Sequence, residues 1–360
     1  MPKYNCVLIR CDLNTPLQQG LIMDHSRIHA MLPEIRYWQK HAKHVVLLSH
    51  LGRPKGKDSA LSMRPIAHYL SDCLKREVPL VSWPNTTLTA SLSVAENIRF
   101  FEEEIQNDAH FAKSLLNNVD HFVFDAFAVA HRAHASTHQI FKFAKSFSLG
   151  GLFKKERAIV ERIYQSNNPF AVIMGGAKTE TKIALLEQFL RRTSHLFLGG
   201  IVGHTFLAAQ GIDMSRSLYD RHAVPLAKKI LTQAADRGVN VYLPIDGVNE
   251  QGQVCAIDQG PLFDMGPKTL EQWASVLQTV DEVVWNGSMG YYENPLFDAS
   301  KKLGHFLSEV NAKVVIAGGD TLAVIDDDRQ YAHKSTGGGA FLYYCEKGRF
   351  PFQEEVNEKD

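Results

Sequence analysis

Short apolar runs recur along the chain, and each breaks into a polar or glycine-bearing turn. Cys6-Val7-Leu8-Ile9, Val45-Val46-Leu47-Leu48, His121-Phe122-Val123-Phe124, Ala171-Val172-Ile173-Met174, Leu196-Phe197-Leu198, Val239-Asn240-Val241-Tyr242-Leu243, Glu282-Val283-Val284-Trp285 and Val314-Val315-Ile316-Ala317 have this form. Unbroken rather than alternating runs suit parallel strands covered on both faces. Between them lie stretches with apolar residues at helical spacing, such as Ile28, Met31, Leu32, Ile35 and Trp38, which predict a helix over 24–40 with an Asp or Ser cap. Further helices are predicted over 64–75, 154–165 and from Ile183 onward. Strand and helix alternate in both halves, so the fold class is α/β, with two doubly wound parallel-sheet domains. The first domain is expected over 1–153 and the second over 154–339, with 154–165 as a stiff bridging helix that favours hinge motion over free tumbling.

Open α/β sheets gather ligands at the carboxyl ends of their strands, and these ends carry the candidate chemistry. At the midpoint the run 171–174 turns through Gly175-Gly176 into Lys178 and Lys182, one helical turn apart, as an anion-binding strand-to-helix turn would. An ordinary turn with solvated lysines is the plainer alternative. In the first half, Asp12 and Asn14 follow a strand and either accept bonds from a hydroxylated ligand or simply make a turn before Pro16. Arg27 sits in a first helical turn against the dipole, which suggests an anionic partner. The loop Ser49-His50-Leu51-Gly52-Arg53-Pro54-Lys55-Gly56-Lys57 is basic, and Arg99 and Arg132 follow further apolar runs, completing a quartet of arginines at strand ends. Glu102-Glu103-Glu104 reads as a solvated acidic run or helix start. His131 and His134 have no companion set for a metal.

Gly318-Gly319-Asp320-Thr321 would aim backbone N–H groups at phosphate, with Asp320 able to hold magnesium. Ser335-Thr336-Gly337-Gly338-Gly339-Ala340 offers a second nest. The two commonest nucleotide signatures, G-x-x-x-x-G-K-[ST] and G-x-G-x-x-G, are missing.

Composition narrows the classes. The 360 residues fit about two domains at about 100–200 residues each, and 45% hydrophobic with 22% charged residues is ordinary for globular folds. Lys plus Arg and Asp plus Glu both number 39, so no net charge draws the chain to nucleic acid or an acidic membrane surface. The first residues show no signal-peptide core and no run approaches the roughly 20 residues of a membrane span, so a cytoplasmic location is expected. The five cysteines, scattered and without a C-x-x-C pair, read as reduced thiols.

The stretches Ile9-Arg10-Cys11-Asp12-Leu13-Asn14-Thr15-Pro16, Ser49 to Pro54, Glu96-Asn97-Ile98-Arg99-Phe100, Ala130-His131-Arg132-Ala133-His134, Gly175-Gly176-Ala177-Lys178, Asp264 to Thr269, Trp285-Asn286-Gly287, Gly319-Asp320-Thr321 and Ser335 to Ala340, in this order, resemble phosphoglycerate kinase. The resemblance implies two Rossmann-like domains, the first holding 3-phosphoglycerate or 1,3-bisphosphoglycerate and the second Mg-ATP or Mg-ADP, with the tail from about 340 to 360 returning to the first. It implies a monomeric glycolytic kinase. Asp12, Leu13, Asn14, Arg27, His50, Leu51, Gly52, Arg53, Arg99 and Arg132 would hold the glycerate. Lys182, Gly200, Pro267, Asn286, Glu293, Gly318, Gly319, Asp320 and Thr321 would surround the nucleotide, with Asp320 the Mg2+ ligand. Arg27, Lys178, Gly337 and Gly338 would stabilise the transferring phosphoryl group. A degenerate copy kept for ligand binding or regulation is the reading from another class.

Departures from the family pattern are Phe124 in place of Asn, Ala128-Val129 in place of Gly-Thr, Ile201 within Gly200-Ile201-Val202-Gly203, and Ser288 in place of Pro. At Ile201 the expected glycine suggests a backbone with φ > 0 that a branched residue cannot take, and hence weaker ADP binding.

Overall fold

The structure is a computed structural model that describes residues 2–165, 170–177, 179–325 and 329–356, with the backbone alone at Glu180, Thr181 and Ala184. It divides into two compact units, Met1–Ile159 with Arg349–Asp360, and Val160–Gly348. The division falls inside the helix Gly151–Gln165, a few residues beyond the boundary expected from sequence. The tail also joins the first unit later than expected. The helix Gly338–Lys347 belongs to the second unit, and only the segment from Arg349 onward joins the first.

The first unit is built on six parallel strands, β1 Tyr4–Cys11, β2 Ala42–Leu48, β3 Leu80–Val81, β4 Leu92–Ala95, β5 His121–Asp125 and β6 Phe147–Leu149, in the order β3-β4-β2-β1-β5-β6. Val7, Leu8 and Ile9 at its centre are fully buried, as an unbroken apolar run requires. The helix Ser26–His41 buries Ile28, Met31, Ile35 and Trp38 against the sheet and continues through Pro33. Its N-cap is His25 with no side-chain bond, while Asp24 accepts from the Ser26 amide and hydroxyl just ahead of it.

The second unit repeats the plan with β7 Phe170–Met174, β8 Thr193–Leu198, β9 Asn240–Tyr242, β10 Glu282–Asn286, β11 Lys313–Ala317 and β12 His333–Ser335, ordered β9-β8-β7-β10-β11-β12 and all parallel. The winding direction reverses beside β1 in one unit and beside β7 in the other. At such a place neighbouring crossovers run to opposite sides and leave a crevice at the carboxyl ends of the strands. A small antiparallel sheet of Asp246–Val248, Val254–Ala256 and Asp264–Met265 follows β9.

An aromatic cluster closes the first unit. Phe124, Phe141 and Phe153 pack on Phe350 and Phe352 of the returning tail, with the Phe141 and Phe352 rings stacked at 4.5 Å between centroids. Phe124, where the family pattern has Asn, is therefore a core residue: its neighbours are rings and it is fully buried. Because Phe352 is fully buried among four rings, Phe352→Ala is expected to destabilise the first unit by about 3–5 kcal/mol, read from urea unfolding of the whole chain.

Candidate functional site

In the first unit the expected receiver assembles at the carboxyl ends of β1, β2, β4 and β5. Asn14 is more than a local turn residue: its side-chain oxygen accepts from the Gly52 amide at 2.8 Å and so ties the loop after β1 to the loop after β2. Leu13 is buried, and its amide donates to Ser49 Oγ at 2.9 Å. Gly52 takes φ +62°, a conformation that favours glycine, and its carbonyl accepts from Arg99 at 2.7 Å. Asn97 holds the same loop by bonding both the amide and the carbonyl of Leu51. Arg99 thus rides on a short 3-10 turn, Ile98–Phe100, rather than on a strand, since β4 ends at Ala95.

Asp12 accepts from the Asn14 amide and forms an ion pair with Arg27 from the first turn of the helix Ser26–His41. His50 is buried beside Arg10, and its pKa is held well below the ordinary value by burial and then by the charges of Arg10, Arg99, Arg27 and Arg132. Burial, then the charges of Arg10 and Arg132 and further down Arg53, bring Arg99 down to about 10, with Glu104 pulling the other way. Five guanidinium groups therefore face one region. Arg53 and Arg132 make no ion pair among the described residues, so the charge of this region is left for an anion.

Behind the quartet lies a layer that the sequence reading did not assign. Arg10 is fully buried on β1, donating to Ser136 Oγ at 2.9 Å and to the Cys11 carbonyl at 2.6 Å. Glu102–Ile105 is a short helix, as one of the two readings of this acidic run had it, but Glu104 is fully buried rather than solvated and accepts from the amide and hydroxyl of Ser136 at 2.8 and 2.7 Å. Burial raises the pKa of Glu104 while Arg10 pulls it back. The signal was present in the sequence, because an arginine inside an apolar strand run needs a buried partner.

In the second unit the registers Met174↔Leu198 and Met174↔Asn286 bring three turns level. Gly175 donates to the Asn286 carbonyl, and Gly199 donates to the Met174 carbonyl, both at 2.9 Å. A Cβ on Gly175 would stand 2.2 Å from Ser288 O, and one on Gly287, at φ +95°, 2.2 Å from Gly175 O. These turns open on a cavity of about 620 Å³, whose wall includes Gly200, Glu293 and Asp320 of the residues expected there.

The other expected nucleotide residues are not among those that line it. Thr321 is buried, accepting from the Gly287 amide at 2.6 Å and donating to the Ala317 carbonyl. Asn286 likewise reaches the Ala317 carbonyl, beneath Gly318 at φ +106°. Lys182 donates to the Gly175 carbonyl. Pro267 opens the helix Pro267–Leu277, whose first amides are capped by Asp246. Gly319 has open space where a Cβ would be, and Gly337 caps the helix that Gly338 begins, with Gly338 packed on the Gly318 backbone. Lys178 lies outside the described residues.

Ile201 corrects the expectation made for it. The positive φ belongs to Gly200, at +56°, whereas Ile201 is the second residue of the helix Gly200–Ala209, where a branched side chain is accommodated. It forms apolar wall of the cavity together with Leu218, Leu262, Phe263, Met289 and Tyr291, which no local pattern marked. Asp320 and Glu293 share that wall, and both carboxylates help raise the pKa of Tyr292, after burial.

Two doubly wound units, one ending in an arginine-rich anion receiver and the other in a glycine-floored cavity with carboxylates, define a two-unit α/β enzyme of the phosphotransferase class. The family model described as phosphoglycerate kinase matches residues 2–348. A phosphoglycerate kinase of Moorella thermoacetica is 36% identical over 98% of this chain and 96% of its own, and one of Chlamydia muridarum is 37% identical over the same shares. The structure of phosphoglycerate kinase from Coxiella burnetii superposes with a TM-score of 0.86 at 33% identity, covering 99% of this chain and 97% of that one. The crystal structure from Pyrococcus horikoshii gives 0.80 at 27%, covering 99% and 96%. The chain belongs to the phosphoglycerate kinase family.

The buried histidines of the receiver give a pH prediction. His134, 3.9 Å from Glu104, has its pKa pushed to about 4 by burial and then by Arg99, Arg132 and Arg10. Between about pH 6.5 and 4 the unfolded chain binds a proton that the folded chain refuses, so stability falls as pH is lowered through this window, by at most about 1.4 kcal/mol per pH unit for one group. His134→Gln should flatten that slope, as measured by urea unfolding at a series of pH values.

Proposed function

We propose that the chain catalyses reversible phosphoryl transfer between 1,3-bisphosphoglycerate and ADP, giving 3-phosphoglycerate and ATP, as a cytoplasmic monomer in glycolysis. The observation that carries this reading is the convergence of Arg10, Arg27, Arg53, Arg99 and Arg132 on one region, with Asp12, Glu104 and Glu156 as acidic companions among the described residues. Such a surplus suits a ligand with both carboxylate and phosphate groups, and guanidinium forks match the oxygens of each. Arg53 and Arg132 bind these groups, Arg99 and Asn14 set the loop that positions them, and Arg27 is shared between Asp12 and the transferring group.

The nucleotide lies in the cavity of the second unit, with its phosphates toward Gly176 and Asp320. Among the described residues no cluster of three or more His, Cys, Asp or Glu side chains could hold a metal. That fits Mg2+, which is commonly held by one or two carboxylates together with substrate phosphates and water. Asp320 would hold the ion, whose bound charge would offset that of the phosphates.

The transfer needs in-line positioning and charge stabilisation rather than a nucleophilic side chain. Arg27, Lys178 and the amides of Gly337 and Gly338 supply donors where charge gathers in the transition state. A coupled assay of the purified chain with 3-phosphoglycerate and Mg-ATP tests the reading, and no turnover above background would overturn it. In that assay Lys178→Ala is expected to lower kcat by about 10²–10³, the loss typical of one preorganised donor, with both KM values little changed. Arg53→Ala should instead raise KM for 3-phosphoglycerate, by about tenfold for one lost charge-assisted contact, and leave calorimetric affinity for ADP at its original value.

A further inference from the structure

His204 lies on the helix Gly200–Ala209, is 7% exposed and forms part of the cavity wall. Its Nδ1 stands 2.9 Å from the Leu218 carbonyl oxygen. A carbonyl only accepts, so Nδ1 carries the hydrogen and Nε2 is left with its lone pair. Nε2 has no hydrogen-bond partner among the described residues, and it is not one of their sealed, unpaired polar atoms. The opening left to so buried a ring is the cavity. Burial also holds the imidazole below its ordinary pKa, so at neutral pH it remains an acceptor.

The cavity lining is of two chemical kinds. Gly176, Ala177 and Asp320 are the part suited to phosphate and its cation. Leu218 and Tyr291, 73% and 51% exposed, stand with Leu262 and Phe263 as apolar faces that a flat ring can cover. A nucleotide with its phosphates on the first lays its base on the second. The edge of a purine farthest from the sugar then leads, carrying the groups at ring positions 1 and 6.

We propose that His204 is a specificity-determining residue, its Nε2 accepting a hydrogen bond from the exocyclic 6-amine of adenine. The inference rests on the nucleotide reading of this cavity. That amine is adenine's only N–H donor once the sugar is attached. Guanine and hypoxanthine put a carbonyl oxygen at the same place, lone pair against lone pair, and use their N1–H only by shifting across the cavity. A site built to accept a hydrogen rejects the analogue without one because its own polar atom is then left unpaired.

Calorimetry with Mg2+ compares ADP, the diphosphate of purine riboside, which has hydrogen at position 6, and GDP. The wild-type chain is expected to prefer ADP over the purine riboside analogue by roughly five- to tenfold, the range of one neutral hydrogen bond. His204→Phe should bind these two alike and leave 3-phosphoglycerate affinity unchanged, while His204→Gln, whose side-chain oxygen also accepts, should restore part of the preference. Equal wild-type binding of ADP and the analogue, or a preference that survives in His204→Phe, would overturn the role of His204 while leaving the nucleotide site standing. If the Phe variant does not fold, the wild-type comparison and the Gln variant decide. Failure of the wild type to bind any of the three diphosphates would overturn the nucleotide reading itself.

Discussion

A Cβ on Gly175 would lie 2.2 Å from Ser288 O, and one on Gly200 2.9 Å from Gly176 N. Backbone meets backbone where the sheet of the second unit changes its winding direction, and the cavity exists because of that contact. Side chains there would push β7, β8 and β10 apart at their carboxyl ends, which their parallel registers hold level. Glycine is tolerated there for both reasons open to it, close approach at Gly175 and positive φ at Gly200 and Gly287. Asn286 Nδ2 and Thr321 Oγ1 fasten this floor through bonds to backbone groups.

The first unit meets the equivalent place in the opposite way, by filling it with charge. Arg10 is buried where β1 ends, and desolvating a guanidinium is costly unless a carboxylate and hydrogen bonds offset it. Glu104 and Ser136 supply that compensation, from segments remote in sequence. Of the arginines in front of this pair, Arg27 is matched by Asp12 and Arg99 is buried on the Gly52 carbonyl, so the charges of Arg53 and Arg132 are the ones left available. His50 and His134 add no positive charge to the arginines, because burial and the arginines themselves hold both pKa values below the ordinary one.

The family departures divide along physical lines. Phe124 and Val129 are buried in the first unit, where the aromatic tail residues Phe350 and Phe352 give Phe124 its partners, and neither substitution removes a charged group of the receiver. Ile201 and Ser288 stand on the cavity wall, Ile201 with an ordinary helical backbone. They alter the lining of the nucleotide cavity and leave its floor of glycines in place.

Local sequence determined the two alternating α/β units, the buried parallel strands and the arginines at strand ends, because the periodicity of apolar residues and the placement of Gly and Arg act over a few residues. Arg27, Arg53, Arg99 and Arg132 were each legible as strand-end or helix-start cations from their own neighbourhoods. Tertiary structure alone decided what they face. Glu104 looks solvated in its acidic run and becomes a buried counter-ion only when Ser136 and Arg10 arrive from other crossovers. The cavity wall is of the same kind: His204, Leu218, Leu262 and Tyr291 come from separate segments and share no spacing that a reader of the chain could recognise. A hydrogen bond such as that from His204 to Leu218 O fixes a tautomer through a partner that only folding brings near, so the acceptor it leaves in the cavity could not be read from the sequence.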